Sequence, residues 1–222
     1  MRFYVRARPV GIALIGWNYP SMFDIDLAFM RKIKRSSNGD LSKQIYIPGS
    51  SFKGALRSAA SRIAKSYGFT SCGYVEPELI REAHERSGVC DVCKIFGYPK
   101  NSTSSLIHVS DLNPVNNVRT FNVTRTRLED DSLKVAEGAL YTYEYIYDQA
   151  EFRGCIKICS RDPNVFGLIL LGLAELRLGR IGRSSLFDLM IERSEELGEI
   201  LINTRWSQLL DDLKRWLWIG VV

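Results

Sequence analysis

Ile47-Pro48-Gly49-Ser50-Ser51-Phe52-Lys53-Gly54-Ala55-Leu56-Arg57 is the stretch where a strand gives way to a helix. Gln44 to Ile47 reads as a short strand that stops at Pro48, since proline has no N–H to donate to a ladder. Ser50 or Ser51 is expected to cap the helix. Phe52, Ala55, Leu56, Ala59, Ala60, Ile63 and Tyr67 then recur at helical spacing, and Lys53, Arg57, Arg62 and Lys65 lie off that face. Gly68 ends the run. A helix that opens this way offers free N–H groups and the positive end of its dipole to an anion. Lys53 and Arg57 are one turn apart and can both reach a phosphate. The same residues also describe an ordinary capped helix with solvated cations, and mechanism alone leaves the two readings even.

Upstream, Arg2 to Arg8 alternates, with Phe3, Val5 and Ala7 on one side and basic residues with Tyr4 on the other: a half-buried strand. Phe23, Ile25, Leu27 and Phe29 alternate again and leave Asp24 and Asp26 on the opposite face. Ser36-Ser37-Asn38-Gly39-Asp40 is a turn. Downstream, residues 69–104 depart from the core pattern and read as an inserted lobe. Leu106 to Val109 returns to a strand, and Arg119 to Arg125 reads as another. Residues 128–138 are polar and look like a protruding loop or hairpin. Leu140 to Tyr147 and Cys155 to Cys159 are expected to pair antiparallel about a turn at 148–154. Tyr141, Tyr143, Tyr145 and Tyr147 share one face of that strand, suited to base stacking or to plain packing.

Asp162-Pro163 opens the second helix, with Asp as cap and Pro at its first position, and Gly179 closes it. Phe187 to Ile191 is the closing strand. A last amphipathic helix is expected over about 195–218, carrying Leu197, Leu201, Leu209, Leu213 and Trp216. The order strand–helix–strands–helix–strand predicts an α+β fold: one domain over 1–222, a ferredoxin-like or RNA-recognition-type sandwich.

Composition is consistent with a globular core, at 45% hydrophobic residues. The longest apolar run, Val165 to Ala174, is broken by Gly167 and Gly172 and falls short of the roughly 18 residues of a membrane span. The first residues resemble no signal peptide, so a cytoplasmic protein without a membrane partner is expected. Net charge is +5 and the pI about 9.0. The base gathers at Arg31–Arg35, at Arg119–Arg127 and at Arg177, Arg180 and Arg183; singly, each is most simply a solvated patch. Five cysteines without an export signal argue against structural disulfides.

Four of the seven Cys and His residues fall within 22 positions, as Cys72, His84, Cys90 and Cys93 in the pattern C-x11-H-x5-C-x2-C. Four soft or borderline ligands suit tetrahedral zinc, and four protein ligands leave no open position, so such a metal is structural. The other reading is buried free thiols beside an exposed histidine.

The Pro48–Arg57 segment resembles the first motif of the repeat-associated mysterious proteins, the RAMP superfamily. Within it the resemblance is strongest to the backbone subunit of type III CRISPR effector complexes. Cys93-Lys94-Ile95-Phe96-Gly97, followed by the 106–109 strand and Asp111, resembles a second family stretch. Leu178-Gly179-Arg180-Ile181-Gly182-Arg183-Ser184 is similar to the glycine-rich loop after the second helix, except that Ser184-Ser185 stands where the family has a further glycine. The resemblance runs in register from about 1 to 191. Zinc in this lobe is also seen in some relatives.

The resemblance implies a subunit that polymerises, copy beside copy, along a guide RNA (crRNA), with target RNA and other type III complex subunits as further partners. It implies guide phosphates at Ser50, Ser51, Lys53 and Arg57, further RNA contacts from Arg180 and Arg183 of the loop, and a contact from Arg125, with Arg127 beside it, before a hairpin at about 126–138 that wedges against the guide–target duplex. It also implies cleavage of target RNA by a carboxylate between the first strand and first helix: Asp26, with Asp24 as its neighbour, holding a divalent cation (magnesium or manganese). Two alternatives stand. The aspartates also read as the polar face of a strand, paired with Arg31 or Lys32, a reading that suits Asp24 better than Asp26; if it holds for both, the subunit is a catalytically inactive scaffold. A stand-alone processing ribonuclease ranks last, because such enzymes lean on an early general-base histidine and this chain has only His84 and His108.

Overall fold

The alternation at the N-terminus becomes β1 (Arg2–Pro9), which buries Phe3, Val5 and Ala7. The computed structural model describes residues 1–17, 25–35, 38–100, 104–128, 135–147, 149–183 and 185–218. After β1 come β2 (Gly16–Trp17), β3 (Ala28–Phe29), β4 (Arg31–Arg35), β5 (Leu41–Ile45) and α1 (Gly49–Ile63). The middle of the chain holds α2 (Pro77–Ser87), α3 (Asp91–Phe96), β6 (Ile107–Val109), β7 (Asn113–Pro114), β8 (Thr120–Leu128) and β9 (Val135–Ile146). Then follow β10 (Phe152–Ile158), α4 (Pro163–Leu178), β11 (Phe187–Glu192), α5 (Glu195–Leu201) and α6 (Ser207–Trp216).

The main sheet has the order β11-β1-β10-β6, with β7 also on β10, and every pairing is antiparallel. Four strands and two helices in the sequence β1-α1-β6-β10-α4-β11 give the ferredoxin-like arrangement. The α+β class therefore holds. Phe52, Leu56, Ala59 and Ala60 of α1 are buried, as are Phe152, Ile156 and Ile158 of β10 and most of α4. The glycines that interrupt the apolar run of α4 are packing sites. A Cβ at Gly172 would stand 3.1 Å from the Cβ of Ala60, so the two helices meet there, and one at Gly167 would collide with the ring of Trp206.

Three sequence expectations are corrected. Residues 140–147 do not pair with β10. They belong to β9, which pairs with β8 from Thr120↔Ile146 to Leu128↔Val135 in a two-stranded ribbon longer than the expected 126–138 hairpin. β10 instead lies between β1 and β6, because Phe152, Ile156 and Ile158 need the helix layer beneath them. The C-terminal helix is two helices. Asn203 has φ +60, Thr204 Oγ1 donates to Leu201 O at 2.8 Å, and Trp206 turns inward onto Gly167. Neither Ser50 nor Ser51 caps α1, whose N-cap position is Pro48. By contrast, Asp162 caps α4 as expected, accepting from Asn164 N–H at 2.9 Å.

Residues 69–100 of the expected inserted lobe include α2 and α3. They share the main core through Ile80, Val92, Cys93, Ile95 and Phe96. The root of the ribbon is held on the free edge of β9 by bridges from Ala13 to Ile146 and from Leu27 to Tyr143. Among the described residues no helix is long and apolar enough to cross a membrane.

Candidate functional site

The start of α1 is stabilised from a distance. Asp111 Oδ1 accepts from Gly49 N–H at 3.1 Å, and its other oxygen meets Lys32 Nζ at 3.2 Å. Lys32 also sits over the Tyr46 ring, 4.7 Å from its centroid. A side chain at Gly49 would collide with the backbone of Val109 and Ser110, so only glycine lets the helix start this close to the strand end. Asp111 is 62 residues from Gly49, and no local signal marks it as the helix's capping group.

The two cations of α1 turn toward the lobe. Lys53 Nζ donates to Ser105 Oγ at 2.6 Å; burial, with the adjacent Arg57 charge, holds Lys53 below the usual lysine value. Arg57 donates to Gly97 O at 3.0 Å and to Cys93 Sγ at 3.2 Å. Ser50 is left exposed and Ser51 half-buried at the helix mouth. The four residues expected at phosphates thus share one helix start, but its two cations brace the lobe.

Cys72, His84, Cys90 and Cys93 converge, as their spacing suggests. Their ligand atoms all lie within 4.8 Å of one another, and the sulfurs of Cys72 and Cys93 are 3.6 Å apart. Tetrahedral zinc–thiolate bonds of about 2.3 Å put two sulfurs roughly 3.8 Å apart. His84 Nε2 is buried with no hydrogen-bond partner, which a metal bond would satisfy. The hydrogen bond from Cys93, despite burial, pushes the Cys90 thiol down to about 4, while its bond to Cys90 and burial push the Cys93 thiol up. Thr70 anchors the knuckle: its N–H and hydroxyl both donate to Asp91 at 2.8 Å. Donor set, spacing and orphaned nitrogen fit one structural zinc ion.

Asp26 lies against the ribbon. Its N–H donates to Thr142 O at 2.9 Å, and its Oδ2 accepts from Thr142 N–H at 2.7 Å. Asp24 lies outside the described residues. Two positions along β9, Glu144 is only 4% exposed and holds Arg31 in a two-pronged ion pair, while also accepting from Phe29 N–H at 2.9 Å. Burial raises the Glu144 carboxyl, but the Arg31 and Phe29 hydrogen bonds and the Arg31 charge outweigh it and hold it below the usual range. Nothing in the sequence singled out Glu144; a lone Glu among alternating tyrosines was the available signal.

Arg125 is exposed on β8, with its guanidinium 5.5 Å from the Tyr145 centroid, and Arg127 lies further along the same strand. The glycine loop meets the ribbon: Arg183 donates to the Tyr143 hydroxyl at 3.2 Å, while Arg180 is exposed. Ser184 lies outside the described residues. Ser185 is buried; its hydroxyl accepts from Leu14 N–H at 2.8 Å and donates to Leu14 O at 3.2 Å. Ser185 therefore clamps the loop to the β1–β2 segment.

Contacts link these parts in one line: Arg183 to Tyr143, Asp26 to Thr142, Arg31 to Glu144, then Lys32 through Asp111 to Gly49. No curated protein matches the sequence. A solved structure described as a Type IV-B CRISPR complex shares the fold: 88% of this chain aligns with 92% of one of its chains at a TM-score of 0.60 and 15% identity. The family model of the RAMP superfamily matches residues 35–187, from the β4–β5 hairpin through the glycine loop to the start of β11. With more than half of the chain matched, the protein belongs to the RAMP superfamily.

Proposed function

We propose that the chain is a guide-RNA-binding backbone subunit of a CRISPR effector complex, repeated along the guide beside copies of itself. The observation that carries this reading is the continuous line from the glycine loop across the ribbon to the mouth of α1, with Arg183, Arg125 and Lys32 along it. Family membership supports it, as does a fold shared with a chain of a CRISPR complex. Backbone contacts of this kind position RNA without reading its bases. Single-stranded RNA should bind with steep salt dependence and little sequence preference. Affinity independent of salt between 50 and 200 mM (about a tenfold loss or more is expected) would refute the proposal.

The resemblance of the Pro48–Arg57 motif favours a type III complex that cuts target RNA at regular intervals, with Asp26 holding magnesium or manganese. A second reading, a scaffold without nuclease activity, is favoured by the carboxylate of Asp26, whose Oδ2 is already engaged by Thr142 N–H. In an assembled complex with matched target RNA, the first reading expects evenly spaced products that vanish in Asp26→Ala and with a chelator while guide binding persists. The scaffold reading expects none from the wild type. Loss in Asp24→Ala but not Asp26→Ala would move the site to Asp24. On either reading, Cys72, His84, Cys90 and Cys93 hold a structural zinc that fastens the lobe to α1.

A further inference from the structure

One face of the ribbon is a ladder of rings. β9 supplies Tyr141, Tyr143 and Tyr145, Tyr147 follows, and β8 sets Phe121 opposite Tyr145 and Arg125 opposite Tyr141. Phe121 stacks on Tyr147 with centroids 4.2 Å apart and leans on Tyr145 at 6.0 Å; Tyr141 stacks on Tyr143 at 6.3 Å. Cations are interleaved. Arg125 lies over Tyr145, Arg183 lies 6.0 Å from the centroid of Tyr143, and Arg119 shares with Tyr147 a cleft of about 230 Å³. The opposite face carries Asn122, Thr124 and Thr142, the two threonine hydroxyls 3.2 Å apart. The aromatics are therefore confined to one side.

Burial divides the ladder by task. Tyr145 is 7% exposed and fastens the ribbon to the core. Tyr141 and Tyr147, at its two ends, are 38% and 45% exposed. Packing explains the middle rung and leaves the end rungs unexplained. Rings open to solvent with arginines between them suit unpaired nucleobases, whose π-faces stack on tyrosine while their phosphates are neutralised alongside. Three arginines beside the rings supply positive charge that a polyanionic backbone neutralises and an apolar partner does not.

We propose that this face is a base-stacking platform for unpaired nucleotides of the bound RNA, with Tyr141 and Tyr147 as the open rungs and Arg119, Arg125 and Arg183 beside the phosphates. It rests on the RNA-binding reading above and adds that bases contribute to affinity. The test compares a fluorescent oligouridine with an abasic ribose–phosphate oligomer of equal length, at fixed salt, on the full-length chain. The wild type should prefer the base-bearing oligomer by at least about fivefold, the lower end for one stacked base. Tyr141→Ala/Tyr147→Ala should lose that preference and keep its affinity for the abasic oligomer. Tyr141→Phe/Tyr147→Phe should retain the preference, because stacking needs the ring and not the hydroxyl; this pair also controls for folding. Equal binding of both oligomers by the wild type, or an undiminished preference in the alanine pair, overturns the platform and leaves RNA binding intact. If neither oligomer binds, the RNA-binding reading falls and the platform with it.

Discussion

Replacing Arg31 with methionine isolates the ion pair at the root of the ribbon. Glu144 would keep only the Phe29 N–H and the Thr120 hydroxyl for a carboxylate that is nearly buried. Orphaning a buried charge costs about 3–5 kcal/mol. The Arg31 side chain is itself one-fifth exposed, so water can enter its place and the lower figure applies, about 3 kcal/mol. For a chain of this length that is a fall in Tm of roughly 6–12 °C. The pH dependence gives a sharper check. In the wild type the Glu144 carboxyl lies below its unfolded value, so it stabilises the fold above about pH 4.3 and that contribution fades as pH falls further. In Arg31→Met, burial is opposed only by the Phe29 and Thr120 hydrogen bonds, so the carboxyl rises above its wild-type position and the variant's deficit, full at neutral pH, is relieved by protonation. The gap between the two proteins should therefore shrink from pH 7 toward pH 4.5. Urea unfolding followed by tryptophan fluorescence at several pH values measures it. Arg31→Met/Glu144→Leu should recover most of the loss, since an apolar pair of similar volume replaces a buried ion pair at little cost. A loss under about 1 kcal/mol, a gap independent of pH, or a double variant no better than the single would refute the assignment.

Elemental analysis of protein purified without chelator should find about one zinc per chain, and Cys90→Ser should lose it while the sheet signal in circular dichroism persists. Arg57→Ala removes a hydrogen bond to a ligand sulfur and should weaken zinc retention roughly 10- to 100-fold in competition with a chromophoric chelator; unchanged retention would free Arg57 for the phosphate role. Lys53→Ala/Arg57→Ala tests that role directly and should flatten the salt dependence of RNA binding if these side chains leave the lobe to meet phosphates. Asp111→Ala removes the cap of α1 and should cost about 1 kcal/mol in denaturant unfolding, with faster amide exchange at residues 49–52.

The sequence alone determined what depends on neighbours along the chain. Alternation marked β1, the 3.6-residue spacing marked α1, and Asp162-Pro163 marked the start of α4, because each signal is set within a few residues. The convergence of Cys72, His84, Cys90 and Cys93 was legible for the same reason: a two-residue knuckle and a His one short helix away limit where they can go. Family motifs reached further, since they record contacts that the chain itself does not display. Strand partners were another matter. Residues 140–147 and 152–158 both alternate and are joined by a short turn, yet β10 pairs with β1 because only the main sheet offers its apolar side a helix layer. The hinge at Asn203 interrupts an apolar spacing that continues past it, and Trp206 needs the notch at Gly167 before the break makes sense. Asp111 at the mouth of α1, Glu144 beneath Arg31 and Arg57 against Cys93 join residues 36 to 113 apart. A polar side chain has several acceptable partners in an extended chain, and only the packed core, by fixing distances and excluding water, chooses among them.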